Sequence, residues 1–194
     1  MRPQRNFVEP PHAEPFDVER ELSSIPETAR VRGLLIAPMI AEAKRRGVTR
    51  PAPRERYVAF NLYPLREHGR VLIEHCQDLY PNLTLRAALR KIGRAAPDAF
   101  LGSTIGKVTL APAQGLHDIV SAFCKGYELS FEPGEASVLE HSSKHIVVAL
   151  REVYHFLDCH HVGAFEGALK RAGVRGKVSI AVHGHGAADL LLEW

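Results

Sequence analysis

The stretch Gly126-Tyr127-Glu128-Leu129-Ser130-Phe131-Glu132-Pro133-Gly134 is where the chain changes its period. Tyr127, Leu129 and Phe131 alternate with polar residues, the two-residue repeat of a half-buried strand, and Pro133-Gly134 reads as the turn that ends it. Beyond it, Ala136, Val138 and Glu140 continue as a second strand, and His145 to Val153, rich in Val and Ile, reads as a third. Val174 to His183 gives a fourth strand, Gly184-His185-Gly186 a turn, and Asp189 to Trp194 a fifth. One segment interrupts them. From Phe156 to Ala172, Phe156, Val162, Phe165, Ala168 and Leu169 form a helical stripe that Gly173 terminates.

Upstream of Gly126 the pattern is helical. Leu34, Leu35, Ile36, Met39 and Ile40 give an apolar face to Val31–Arg46, with Pro38 inside it and Gly47 at its end. Tyr63–Tyr80 is a second helix, opened by Pro64 and closed by Pro81. Thr84 can cap a third, on which Leu85, Leu89 and Ile92 repeat on one face and Arg86, Arg90 and Arg94 on another. Asp98–Ala111 and Leu116–Lys125 read as two more helices. The predicted class is α+β: an N-terminal helical half packed on a C-terminal, mostly antiparallel sheet in β-β-β-α-β-β order. Residues 1–24, with Pro3, Pro10, Pro11 and Pro15, form an extended Pro-rich tail, although Asp17 to Glu21 can begin the ordered part. Residues 25–194 form one domain, its helical half over about 25–126 and its β-rich half over about 127–194.

Composition agrees with one folded unit. The 194 residues are 45% hydrophobic and 24% charged, which argues against disorder. No apolar run approaches the roughly 20 residues of a membrane span, and the opening Met1-Arg2-Pro3-Gln4-Arg5-Asn6 lacks an apolar signal core, so a cytoplasmic protein is expected. Cys76, Cys124 and Cys159 are far apart and odd in number, which reads as buried thiols rather than a disulfide scaffold or a zinc module. Residues 1–126 hold 19 Lys/Arg against 13 Asp/Glu, whereas residues 127–194 hold 6 against 9.

Histidine is over-represented. There are 11, seven of them after residue 140. His155, Asp158 and Cys159 sit at i, i+3 and i+4, so an α-helix would put three competent metal ligands on one face and turn His160 and His161 away. The bland alternative is a helix start whose first turn carries Asp158. His183 and His185 suit either two ligands on one strand face or a solvated turn, and His141 and His145 flank a turn. His75 lies on the apolar side of its helix, as a core histidine or an axial haem ligand would. The basic groups Lys44, Arg45, Arg46, Arg50, Arg54, Arg56 and Arg86, Arg90, Lys91, Arg94 read as solvated helical faces, because few aromatic residues interleave for base stacking. Glu166 is expected to anchor its helix against a strand through a polar contact. No Gly-rich phosphate loop, H-E-x-x-H or G-x-S-x-G occurs.

Several runs carry a family resemblance: Ala29-Arg30-Val31-Arg32-Gly33-Leu34, Tyr63-Pro64-Leu65-Arg66-Glu67, Gly93-Arg94, Phe100 and Ile105-Gly106-Lys107-Val108. The longest are Tyr154-His155-Phe156-Leu157-Asp158, Val162-Gly163-Ala164-Phe165-Glu166-Gly167-Ala168-Leu169 and Ala188-Asp189-Leu190-Leu191-Leu192-Glu193-Trp194. Over about residues 26–194 the chain resembles a paralogous family of uncharacterised proteins expanded in myxobacteria. That family is distantly similar in fold to haem-nitric-oxide-binding domains, four-vinyl-reductase-type ligand-binding domains and vesicle-tethering subunits. The resemblance implies a helical half on a curved antiparallel sheet, often with a small apolar ligand between the halves, and dimerisation through helices in some members. The tyrosine–serine–arginine signature of the haem-binding relatives is absent, and the His160-His161 pair departs from the family pattern.

Three readings follow. The favoured one is a non-enzymatic small-molecule-binding or sensory domain, with Phe60, Phe100, Phe123, Tyr154, Phe156 and Phe165 as ligand walls between helices and sheet. The second is a homodimeric protein-interaction module in signalling. The third is a metal- or haem-dependent sensor or enzyme built on His155, Asp158 and Cys159. No cofactor is expected under the first two. The partners expected are a small apolar ligand, a protein or a second copy, rather than nucleic acid or a membrane.

Overall fold

Two helices touch backbone to backbone near the centre of the molecule, and the rest is arranged around that contact. The computed structural model describes residues 5–102, 107 and 115–194. The helices are α1 (Val18–Ser24), α2 (Gly33–Arg45), α3 (Leu65–Leu79), α4 (Leu85–Gly102), α5 (Leu116–Glu128) and α6 (Val162–Arg171), the last entered through a π-helical turn over Leu157–His161. Leu65, Val71, Leu72 and Cys76 recur at helical spacing on α3, and Leu116, Val120 and Cys124 on α5; all are buried. Thr84 caps α4 as expected, its hydroxyl accepting from the Ala87 amide at 3.3 Å. The expected helix over Asp98–Ala111 divides: as far as Gly102 it continues α4, and most of the remainder lies outside the described residues.

The four-stranded antiparallel sheet runs β4-β5-β7-β6, with β4 Glu135–His141, β5 His145–Arg151, β6 Lys177–Gly184 and β7 Ala187–Glu193. Ile146 to Leu150 are all buried, as befits a central strand, and Trp194 packs against the core beyond the end of β7. A second sheet was not expected. β1 (Arg30–Arg32), β2 (Leu62–Pro64) and β3 (Phe131–Glu132) form it in the order β2-β1-β3. The alternation from Tyr127 to Phe131 is therefore not a strand of the main sheet. Tyr127 belongs to the last turn of α5, and its ring stacks on Phe131 with centroids 4.3 Å apart, while Leu129 is exposed. The element order after Gly126 is nonetheless three strands, a helix and two strands.

The tail is extended only as far as Asp17. Its carboxylate accepts the Arg20 amide and starts α1, which buries Leu22. Upstream, Val8 exchanges two 2.9 Å backbone hydrogen bonds with Ile180 on β6, and Arg5 binds Asp189 and Glu140. Phe16 packs on Phe156 with centroids 5.8 Å apart.

The central contact is between α4 and α6. A Cβ on Gly93 would lie 2.1 Å from the His160 carbonyl oxygen, one on Gly163 2.1 Å from that of Arg90, and one on Gly167 2.4 Å from that of Arg94. Only glycine admits this approach. Beside the seam, Glu166 accepts from both Arg90 and Arg94, so it anchors its helix by a polar contact, but to α4 rather than to a strand as expected. Burial opposes its ionisation, but the two guanidinium groups outweigh that and hold its carboxyl below the ordinary range.

Replacing Gly163 with Ala should cost about 1–3 kcal/mol or more, because rigid backbone is what the methyl meets. Gly115→Ala, where a Cβ meets nothing within 4 Å, should stay close to wild type. Urea unfolding of both variants checks the difference.

Candidate functional site

The π-helical turn decides where the histidines point. Phe156 enters it with φ 52°, and Glu152 four residues earlier has φ 55°. A non-glycine residue in this left-handed region is strained, and two of them bracket the loop that aims His155. The His161 amide donates to the Phe156 carbonyl at 3.3 Å, the i to i+5 bond of a π turn. The expected α-helical face of His155, Asp158 and Cys159 is therefore not formed. Asp158 turns out to pair with Arg86, and the Cys159 thiol is buried 3.8 Å from the Phe156 carbonyl, with burial raising its pKa well above the ordinary range. Among the described residues, no three His, Cys, Asp or Glu side chains meet in a group that could hold a metal ion.

What the turn does assemble is a set of imidazoles. His155 rings lie 5.0 Å from His161, 5.6 Å from His68 and 6.4 Å from His160, measured between centroids. Phe131 and Tyr127 complete the cluster, at 5.4 Å from His155 and 5.6 Å from His161. His155 is 1% exposed and His68 4%; His160 is only partly buried, although its Nδ1 is shielded. Both ring nitrogens of His155, and Nδ1 of His68 and of His160, are buried without a hydrogen-bond partner. Burial pulls His68 down to about 4, helped by His161, and pulls His161 itself down to about 4. Burial and the neighbouring imidazoles drive His155 and His160 well below the usual value.

The cluster closes one end of a cleft of about 470 Å³. Leu34, Leu35, Pro38 and Met39 of α2 form one side, Ile92, Ala95, Ala96 and Ala99 of α4 another, and Leu72, His75 and Leu79 of α3 the floor. His68, His160, His161, Tyr127 and Ser130 lie at one end, and Glu42, Arg45, Arg46 and Tyr80 at the other. The cleft thus lies among helices and meets strand residues only at Phe131, rather than lying between the helices and the main sheet. Two of the six expected wall residues, Phe100 and Phe123, line it. Phe165 packs behind Phe123 with centroids 5.4 Å apart, Phe156 is wholly in the core, Phe60 is 62% exposed on a turn, and Tyr154 lies against His185. The residue that sequence reasoning missed is His68. Its signal was its place on the apolar stripe of α3, between Leu65 and Leu72.

The other histidines disperse. His183 pairs with Asp189 at 3.1 Å, His185 meets the Ser24 carbonyl at 3.0 Å, His145 meets the Ser142 hydroxyl at 2.8 Å and His141 lies against His117. His75 Nδ1 is 2.7 Å from the Val71 carbonyl, which leaves Nε2 uncommitted. The basic face is largely neutralised: Arg45 pairs with Glu42, Arg50 with Asp78, Arg54 with Glu67, and Arg90 and Arg94 with Glu166. No helix of the described residues is long and apolar enough to cross a membrane.

Set beside known proteins, the chain belongs to the family described as protein of unknown function (DUF2378), which matches residues 25–194. No curated protein matches its sequence. Its fold is that of H-NOX proteins. An oxygen-binding H-NOX domain related to soluble guanylate cyclases is 11% identical, with a TM-score of 0.62 covering 84% of this chain and 94% of that one. The Fe(II)NO form of an H-NOX protein from S. oneidensis is 14% identical, with a TM-score of 0.57 over 84% and 98%. The unliganded Fe(II) H-NOX protein from K. algicida is 10% identical, with a TM-score of 0.57 over 84% and 95%. At these identities the likeness is one of fold.

The imidazole cluster makes stability acid-sensitive. Each ring is neutral when folded but takes a proton in the unfolded chain below about pH 6.5. Stability is complete above that pH and falls as pH drops toward the folded values, by about 1.4 kcal/mol per pH unit for each histidine. Denaturant titrations at about pH 7 and pH 5 should show the loss, and His155→Phe should reduce it by one histidine's share. Equal stability at both pH values would mean that the rings are solvated.

Proposed function

For this family member, we propose a non-enzymatic ligand-binding, sensory domain that holds a small, mainly apolar molecule in the cleft among α2, α3, α4 and α5. The observation that carries this is the cleft itself. Its volume of about 470 Å³ falls within the roughly 300–1,000 Å³ of small-molecule sites. Its walls are mostly aliphatic and aromatic, with a few polar groups collected at its two ends. Such a division suits binding and orientation. Among the described residues no thiol is activated near the cleft: burial pushes the Cys76 and Cys124 thiols up to about 12, which favours the protonated form. Binding would be read out through the helices that form the walls, since α2 and α4 both line the cleft while α4 is locked to α6 by the glycine seam.

Haem is a second reading that one observation favours. His75 faces the cleft with Nδ1 committed to the Val71 carbonyl, the arrangement that fixes an imidazole tautomer and leaves Nε2 for a metal. Arg46 at the rim could neutralise a propionate. When bound, haem would supply an iron centre able to take a diatomic gas. The chain's own part would be to hold the axial imidazole, exclude water with its apolar walls and carry any shift of α3 to its neighbours.

Native mass spectrometry of protein purified without a histidine tag should reveal a retained small molecule or uptake of an added apolar one. Ala96→Trp, which fills the cleft from α4, should abolish that uptake while leaving the circular dichroism unchanged. Haem titration separates the two readings: a Soret band lost in His75→Ala supports haem, and its absence in wild type leaves the apolar ligand alone.

A further inference from the structure

The two ends of the cleft differ in kind. At one end Tyr80 is attended by two cations: the Arg46 guanidinium carbon lies 5.1 Å and Lys91 Nζ 4.5 Å from its ring centroid. Arg46 also donates to the Tyr80 hydroxyl at 2.9 Å. Neither cation is paired with a carboxylate among the described residues, whereas the one acid at this end, Glu42, is held by Arg45. Arg46 and Lys91 are exposed. With Lys44 and Arg56 they are the members of the two basic groups that form no ion pair among the described residues, and they are the two that flank Tyr80.

At the other end the polar atoms are buried and uncharged. The Nδ1 atoms of His68 and His160 are closed off from the cleft and have no partner, but both rings line it and no hydrogen bond among the described residues occupies either Nε2. From His68 to Leu79 the floor helix runs about 16 Å at 1.5 Å per residue. Between these ends the surface offered is Leu35, Met39, Leu72, Leu79, Ile92 and Phe123. A volume of about 470 Å³ drawn out over that length makes a slender passage.

We propose that the ligand is an elongated amphiphile, an aliphatic acid whose carboxylate sits at Arg46 and Lys91 and whose far end carries a hydroxyl or carbonyl group that pairs with an imidazole Nε2 of His68 or His160. This rests on the cleft-binding reading above and narrows it. The anionic end is set by charge complementarity: a carboxylate can take charge-assisted hydrogen bonds from a guanidinium and an ammonium that still have donors to spare. The polar terminus is set by the cost of the alternative. A methyl group pushed against a cleft-facing ring nitrogen leaves it unsatisfied, whereas a hydroxyl can donate to it or accept from it. A simple hydrocarbon would satisfy neither end.

Three probes of one chain length make the test: ω-hydroxydodecanoic acid, dodecanoic acid and dodecanol, titrated calorimetrically into the full chain below their micellar concentrations. The hydroxy acid should bind about tenfold tighter than the plain acid, and the plain acid about tenfold tighter than the alcohol. Replacing both surface cations, Arg46→Gln with Lys91→Gln, should erase the preference for acid over alcohol. His68→Phe should erase the preference for the hydroxyl, and circular dichroism verifies that each variant is folded. Alcohol binding as tight as acid binding overturns the anionic end while the cleft reading stands. Equal binding of the two acids overturns the polar terminus. If none of the three binds, the proposal falls, and Ala96→Trp tested against the molecules retained in native mass spectrometry decides separately whether the cleft binds anything.

Discussion

The contact on which the structure depends is the approach of α4 to α6 at backbone distance. Three glycines, one on α4 and two on α6, make the helices meet through main chain rather than side chains. The contact also bears on the cleft. α6 follows directly from the π turn that carries His160 and His161, and the oxygen nearest Gly93 is the His160 carbonyl itself. The outer face of α4 supplies a wall of the cleft, so the seam sets how far the imidazoles stand from that wall. The ion pairs from Arg90 and Arg94 to Glu166 run alongside and fix the axial register, which apolar contact between smooth helices would leave loose.

Sequence reasoning recovered the class and the order of elements, because those follow from periodicity over long windows. It failed where a window was short. Residues 127, 129 and 131 fit a two-residue alternation, but residues 127 and 131 also fit one turn of a helix followed by a bend, and the stacking of Tyr127 on Phe131 satisfies the second arrangement. The three-residue strands at Arg30–Arg32 and Leu62–Pro64 are too brief to leave any pattern. The site was legible in composition and illegible in geometry. His155, His160 and His161 stood out as a group, yet an α-helical projection sent them in different directions, and only the π turn rotates them inward. The partner that completes the group, His68, is 87 residues earlier than His155, and a single sequence carries no sign of so distant a meeting. Of the six aromatic residues expected as walls only Phe100 and Phe123 line the cleft, because aromatic character tracks burial in general rather than the lining of one cleft.

Four neutral imidazoles in contact are an unusual way to fill an interior. Aromatic contacts with Phe131 and Tyr127 return part of what desolvation costs, since imidazole packs edge to face much as a phenyl ring does. His161 Nδ1 meets the Phe156 carbonyl at 3.3 Å, but the nitrogens of His155 and Nδ1 of His68 and His160 are not so compensated: an orphaned donor or acceptor costs about 1–3 kcal/mol, and two strained backbone residues add to the expense at the same loop. Such a loop persists only when its surroundings over-determine it, and here they do: the Phe156 amide is tied to Glu21 of α1 at 3.0 Å, Asp158 is tied to Arg86 of α4, and the Phe156 ring is wholly enclosed.

The tail has a consequence outside the binding site. β6 ends the row of strands in the main sheet, and its outer side would present unpaired amides and carbonyls to solvent, a template on which another chain could lay a strand. Val8 occupies the middle of that side with its two backbone bonds to Ile180, and Arg5, anchored on Asp189 and Glu140, pins the approach. The stretch before residue 25 lies outside the span shared with the family. Val8 and Arg5 thus cover part of an edge that would otherwise stand open, and the cover comes from the tail rather than from the span matched by the family.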